Sequence, residues 1–155
     1  MKKVYLTIAF LGLIITGCTN NGVTQEEPEP PKAFIEVDNE RFETILGTYC
    51  WSSKGQAECV DKAGPIELLE GSEPIEVSPG ESVAFIMEYE PKPNKIHVLQ
   101  ISSSEESEVK IRNNHFTAPA QKGIYYYSYG AWWMDEKKEN TSNGDANYAF
   151  AIEVK

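Results

Sequence analysis

A chain of 155 residues with 24 acidic and 14 basic side chains carries a net charge of −10 at neutral pH. That balance repels phosphate backbones and anionic headgroups, so nucleic-acid binding by charge is excluded. Apolar residues make up 41% of the chain, enough for one packed domain of ordinary size.

The chain opens MKKVYLTIAFLGLIITGC. Lys2 and Lys3 precede Val4–Ile15, an uncharged, largely apolar run of twelve residues. That run is shorter than the roughly 20 residues of a bilayer-spanning helix, and it has the length of an export signal's apolar core. It ends in Ile15-Thr16-Gly17-Cys18, which resembles the lipobox of bacterial lipoproteins. The resemblance implies that residues 1–17 are a cleaved signal peptide and that Cys18 carries diacylglycerol. The protein would then be a lipid-anchored resident of the cell membrane, on its extracytoplasmic face, with two acyl chains for stable attachment. An ordinary secretory signal ending in an incidental cysteine is the other reading, and it too exports the chain.

Residues 18–32 follow as a lipidated cysteine and spacer. TNNGVTQEEPEPPK has no large apolar residue except Val23, and such a segment buries too little surface to offset its ordering entropy. Extended by its prolines, it reaches about 40 Å from the anchor. Without Lys2 and Lys3 the remaining chain holds 12 basic against 24 acidic residues, a net charge of −12.

Residues 33–155 read as a single β domain. Ala33–Asp38 is a short strand. Phe42–Trp51 carries strand formers around Gly47, which predicts a bulge. Cys50 and Cys59 then flank a turn containing Gly55. No CxxC spacing is present and no histidine lies nearby, which argues against redox or zinc chemistry. Outside the cytoplasm the pair is most simply a disulfide closing a hairpin, with free thiols the alternative.

Ile66–Glu70 allows a single helical turn. Ile75–Val77 precedes the Pro79-Gly80 turn, and Ser82–Glu90 alternates with Val83, Phe85, Met87 and Tyr89 on one face. Ile96–Ser102 and Val109–Arg112 are further strands, separated by a polar loop at Ser103–Ser107. Gly123 leads into IYYYSYGAWWM, and Ala146–Val154 closes the domain. The polar stretch between them contains Asn143-Gly144, good turn chemistry for a long hairpin. Seven to nine strands with Pro/Gly turns predict an all-β, antiparallel sandwich. Gly123-Ile124-Tyr125 also resembles the step into strand F of immunoglobulin-like domains, with Tyr127 where that family's cysteine stands. The resemblance implies an Ig-like sandwich and carries no function.

Candidate chemistry is sparse. In the aromatic run, Tyr125, Tyr127, Tyr129 and Trp133 share one parity, and Tyr126, Trp132 and Met134 the other. One set must lie outside a sandwich core, so Tyr126 and Trp132 are a candidate binding surface for a sugar ring or a protein hot spot. Packing under the adjacent loop is the alternative. Asp135, Glu136, Glu139 and Asp145 offer hard oxygen ligands, but Lys137 and Lys138 break any calcium-loop spacing. His97 and His115 fall on different predicted elements, so no metal site is expected. Glu105, Glu106 and Glu108 read as a solvated run rather than an acid–base pair. No nucleophile elbow, HExxH or phosphate loop is present. The expectation is therefore a non-enzymatic, cofactor-free binding module whose partner is an envelope or secreted protein. A receptor for a glycan, peptide or cation and a structural accessory subunit are the alternatives.

Overall fold

The computed structural model describes residues 29–102 and 105–155. The readings placed on residues 1–28, including the signal peptide and lipidation of Cys18, lie outside the described residues. The described chain begins inside the stretch read as spacer. Pro30 is buried there, and the Pro31 carbonyl accepts the Tyr148 hydroxyl at 2.6 Å, so packing of the domain already involves Pro30 and Pro31.

The elements in chain order are β1 (Phe34–Val37), β2 (Glu40–Glu43), β3 (Ile45–Ser53), β4 (Gln56–Val60), α1 (Pro65–Leu68), β5 (Ile75–Val77), β6 (Ser82–Ile86), β7 (Lys95–Ile101), β8 (Glu106–Glu108), β9 (His115–Thr117), β10 (Gly123–Met134) and β11 (Ser142–Val154). They form an all-β fold of two sheets in a sandwich-like arrangement. One sheet has four antiparallel strands in the order β2-β1-β6-β9. The other has seven, ordered β4-β3-β11-β10-β7-β8, with β5 attached to β11. The β5–β11 pairing is parallel and occupies Ile152–Val154, beyond Ala149, the last β11 residue paired with β3.

Eleven strands among the described residues exceed the expected seven to nine. Phe42–Trp51 is not one strand: the chain leaves the four-stranded sheet at Glu43 and enters the seven-stranded sheet at Ile45. Thr44 is the corner. It is buried, and both its amide (3.1 Å) and its hydroxyl (2.8 Å) donate to the Ala33 carbonyl, which removes the penalty for an unpaired buried polar group. The other additions are short edges. Glu106–Glu108 pairs with Leu99–Ile101 although it is wholly acidic and polar, and His115–Thr117 holds a single apolar residue, Phe116. The expected strand at Val109–Arg112 is reduced to one bridge, Arg112 with His115.

Three two-residue turns explain several of these pairings. Asp38-Asn39, Lys54-Gly55 and Asn113-Asn114 all have positive φ at both positions, the geometry whose twist matches that of paired strands. The Gly47 bulge is present. Ala146 faces Tyr49 and Tyr148 faces Leu46, so β3 carries one extra residue opposite Asn147.

The core lies between the sheets. Ile35, Val83, Phe85 and Phe116 enter from the four-stranded side, and Tyr127, Tyr129, Tyr148, Phe150 and Ile152 from the other. Aromatic rings dominate: Phe85 stacks on Tyr129 at 4.5 Å and Tyr127 on Phe150 at 4.9 Å. Trp51, Tyr89 and Trp133 meet edge to face at one end, where the Trp133 indole N–H donates to the Pro91 carbonyl at 2.7 Å. Among the described residues no buried side-chain polar atom lacks a partner.

Candidate binding face

Alternation along β10 divides its side chains between two environments. Tyr127, Tyr129, Ala131 and Trp133 point into the sandwich and are buried. Tyr126, Ser128 and Trp132 stand on the outer face of the seven-stranded sheet and are half-buried, with Gly130 between the last two. Tyr126 and Trp132 are separated by five residues, which is about 20 Å along a strand. The two ends of this face have different surroundings.

At the Trp132 end, strand register sets Lys95, Trp132, Asp145, Cys50 and Cys59 in one row across β7, β10, β11, β3 and β4. The indole lies over Gly130. A Cβ at residue 130 would sit 2.5 Å from Trp132 Cη2 and 3.0 Å from Asn147 Oδ1, so glycine is what lets the ring lie on the sheet. Lys95 Nζ stands 5.7 Å from the ring centroid, in the range of a cation–π contact. Burial pushes the Asp145 carboxyl above its usual range, and a hydrogen bond from the Cys50 backbone opposes this in part. One row back, the Asn147 side-chain amide donates to the Thr48 carbonyl at 3.3 Å across the bulge.

The Cys50–Cys59 disulfide is formed. The two residues are directly opposed between β3 and β4, with Cα atoms 4.1 Å apart. Tyr49 and Trp51, their neighbours on β3, are buried in the core, so the bridge lies on the outer face beside Asp145.

At the Tyr126 end, the segment around α1 folds over the sheet. Leu69, Ala149 and Ala151 form a small second cluster with Ile45, Leu68 and Tyr126 packed against it. Beside it runs an open groove of about 750 Å³. Its apolar lining comes from Ile66, Leu69, Ile101, Ile124 and Tyr126.

The other sequence candidates are dispersed. His97 is on β7, 3.6 Å from a Glu108 carboxylate oxygen, whereas His115 is on β9 in the opposite sheet, with Nδ1 2.6 Å from the Asn113 carbonyl. Asp145 is not a loop ligand, since it belongs to β11, and Asp135 instead accepts the Lys137 amide at 2.8 Å in a local turn. Among the described residues no group of three or more His, Cys, Asp or Glu is arranged to hold a metal ion. Among the same residues no helix is long and apolar enough to cross a membrane. Sequence reasoning missed Lys95, Asp145 as a neighbour of Trp132, and Ile124. Only the strand register brings the first two beside the indole, and Ile124 lies just ahead of the aromatic run that drew attention. No protein-family model, curated protein or solved structure matches the chain.

Proposed function

We propose that this chain is a lipid-anchored, extracytoplasmic binding module, non-enzymatic and free of cofactors, that captures an envelope or secreted protein on the outer face of its seven-stranded sheet. The observation that carries the reading is the pair Tyr126 and Trp132, half-buried on the outer face of the sheet, on a strand whose Tyr127, Tyr129 and Trp133 are buried between the sheets. Aromatic side chains of this kind supply large contact area with little conformational entropy to lose, which makes them the usual anchors of protein interfaces. The export and anchoring part rests on the leader and Ile15-Thr16-Gly17-Cys18. A disulfide exposed on an outer sheet face is in keeping with an oxidising compartment.

The sandwich is of Ig-like type in this reading. The hydroxyl of Tyr125, near the start of β10, donates to the Gln121 carbonyl at 2.9 Å, four residues back and just ahead of the strand. That is the arrangement of a tyrosine corner, which in Ig-like domains sits two residues before the F-strand cysteine, here Tyr127.

A second reading, a glycan receptor, is favoured by the surroundings of Trp132. An indole lying on the sheet between a lysine and a carboxylate presents a stacking surface with polar groups at its rim, which suits a sugar ring.

In-cell crosslinking of the tagged protein, followed by identification of what is retained, tests the main reading. One dominant partner is expected, lost in Cys18→Ala and reduced in Trp132→Ala, while the thermal midpoint of Trp132→Ala stays within a few degrees of the parent. Retention of the same partner by Trp132→Ala would remove the aromatic face from the proposal. No reproducible partner would turn the question to a sugar screen.

A further inference from the structure

We propose that the groove between α1 and β10 binds an extended peptide segment of the partner that carries Lys or Arg beside aliphatic side chains. The inference rests on the reading of the outer sheet face as a binding face and specifies the chemistry it recognises at the Tyr126 end.

Three observations converge on the groove. The first is its apolar exposure. Only Ile66, Tyr89 and Ile124 are exposed large hydrophobic residues among the described residues, at 38%, 37% and 51%. Two of the three, Ile66 and Ile124, line this groove, where they continue the apolar surface of Ile101, Leu69 and Tyr126. Isolated exposed apolar residues are ordinary on a protein surface, whereas a contiguous set on a concave surface is characteristic of a binding site.

The second observation is charge. Among the described residues, the lining includes the carboxylates of Glu67, Glu70 and Glu106 and no Lys, Arg or His. An apolar floor with an exclusively acidic rim favours a ligand that is apolar and cationic together, and repels both an anionic bilayer and an acidic chain. The third is the sheet edge. Glu106 belongs to β8, the outermost strand of the seven-stranded sheet on that side. Strand register sets Tyr126, Ile101 and Glu106 in one row across β10, β7 and β8, so an extended segment laid in the groove would cross the strands and end at that acidic edge, with alternate side chains directed to the floor and the rim.

Selection from a display library of random heptapeptides on the full chain in detergent micelles tests this directly. The parent is expected to enrich sequences combining Lys or Arg with aliphatic residues. Ile124→Asp, a change at a half-exposed side chain, should lower capture of the selected peptides by about tenfold with an unchanged near-ultraviolet circular dichroism spectrum. Glu67→Lys with Glu106→Lys should reverse the charge of the enriched sequences to Asp and Glu. No enrichment, enrichment without a charge bias, capture undiminished in Ile124→Asp, or a bias unchanged in Glu67→Lys with Glu106→Lys would each overturn the proposal. So would a dimer in sedimentation velocity that Ile124→Asp dissolves, because the occupant would then be a second copy of the chain. The two readings fail separately: a crosslinked partner lost in Trp132→Ala but kept in Ile124→Asp preserves the binding face and removes the groove from it, whereas a partner kept in Trp132→Ala removes the aromatic face itself.

Discussion

At Gly130 the requirement for glycine is spatial. The 2.5 Å approach of a Cβ to Trp132 Cη2 involves the far end of a half-exposed ring, which can swing into solvent. Gly144 has a similar clash of opposite consequence. A Cβ there meets Trp51 Cε3 at 2.6 Å, but Trp51 is buried and packed against Trp133 at 4.8 Å, so its ring has nowhere to go. Gly144→Ala is therefore expected to lower unfolding free energy by about 1–3 kcal/mol, the usual range for overpacking. Gly130→Ala should stay within about 1 kcal/mol of the parent while abolishing any ligand-dependent change in tryptophan fluorescence. Urea denaturation with fluorescence detection reads both. Equal destabilisation by the two alanines would show the Trp132 ring to be fixed in place as firmly as Trp51.

Among the elements, the β3–β4 hairpin is the one held covalently. β4 pairs with β3 alone, and most of its residues are exposed, so little apolar burial holds it to the sheet. The bridge spans a sequence separation of 9, and closing a loop of that size stabilises by about 2–3 kcal/mol in the chain-entropy description. Replacing Cys50 and Cys59 together by alanine should lower stability by that amount in urea titrations, and added reductant should then have no further effect.

The cysteine pairing was legible in the sequence because two cysteines flank one glycine-containing turn and no competing ligand lies near. The β10–β11 hairpin was legible for another reason: alternation over a dozen residues survives local noise. Its tip was misjudged, since Asn143-Gly144 looks like a turn, yet Ser142 already pairs with Met134 and the strand continues through both residues. Edges such as β8 and β9 were not legible, because a three-residue edge strand buries almost nothing and leaves no apolar pattern. The groove was illegible for a topological reason. Its lining comes from residues 64–74, from β7 and β8, and from the start of β10, and no local signal announces that these stretches meet.

For the molecule as a whole, the aromatic core sets the response to alkali. Burial raises the phenol of Tyr129 to about 12, and raises Tyr127 and Tyr148 as well, with the charge of Tyr125 adding at Tyr127 and that of Tyr129 at Tyr148. The folded values lie above the unfolded value of 10.0, so the neutral phenols are favoured by folding. Their contribution is fully present below pH 10 and is lost progressively as pH rises from there through the folded values. Three of the eight tyrosines are thus expected to remain un-ionised near pH 11 in the native protein, and to ionise together when it unfolds. Absorbance at 295 nm against pH follows this, and smooth titration of every tyrosine near pH 10 would contradict the packing described.

The position of β11 carries a consequence for how the protein is made. It pairs with β3, β5 and β10, and it comes after all of them in chain order. A ribosome working from the amino end therefore delivers both flanks of the seven-stranded sheet before the strand that joins them. Until residues 142–154 appear, β3 and β10 have no common neighbour, and the stacked rings of Phe85, Tyr127 and Tyr129 lack Tyr148 and Phe150. Such non-local pairing delays closure of the sheet. The two halves of the seven-stranded sheet stay unjoined until then, so the synthesis of β11 is the step that closes it.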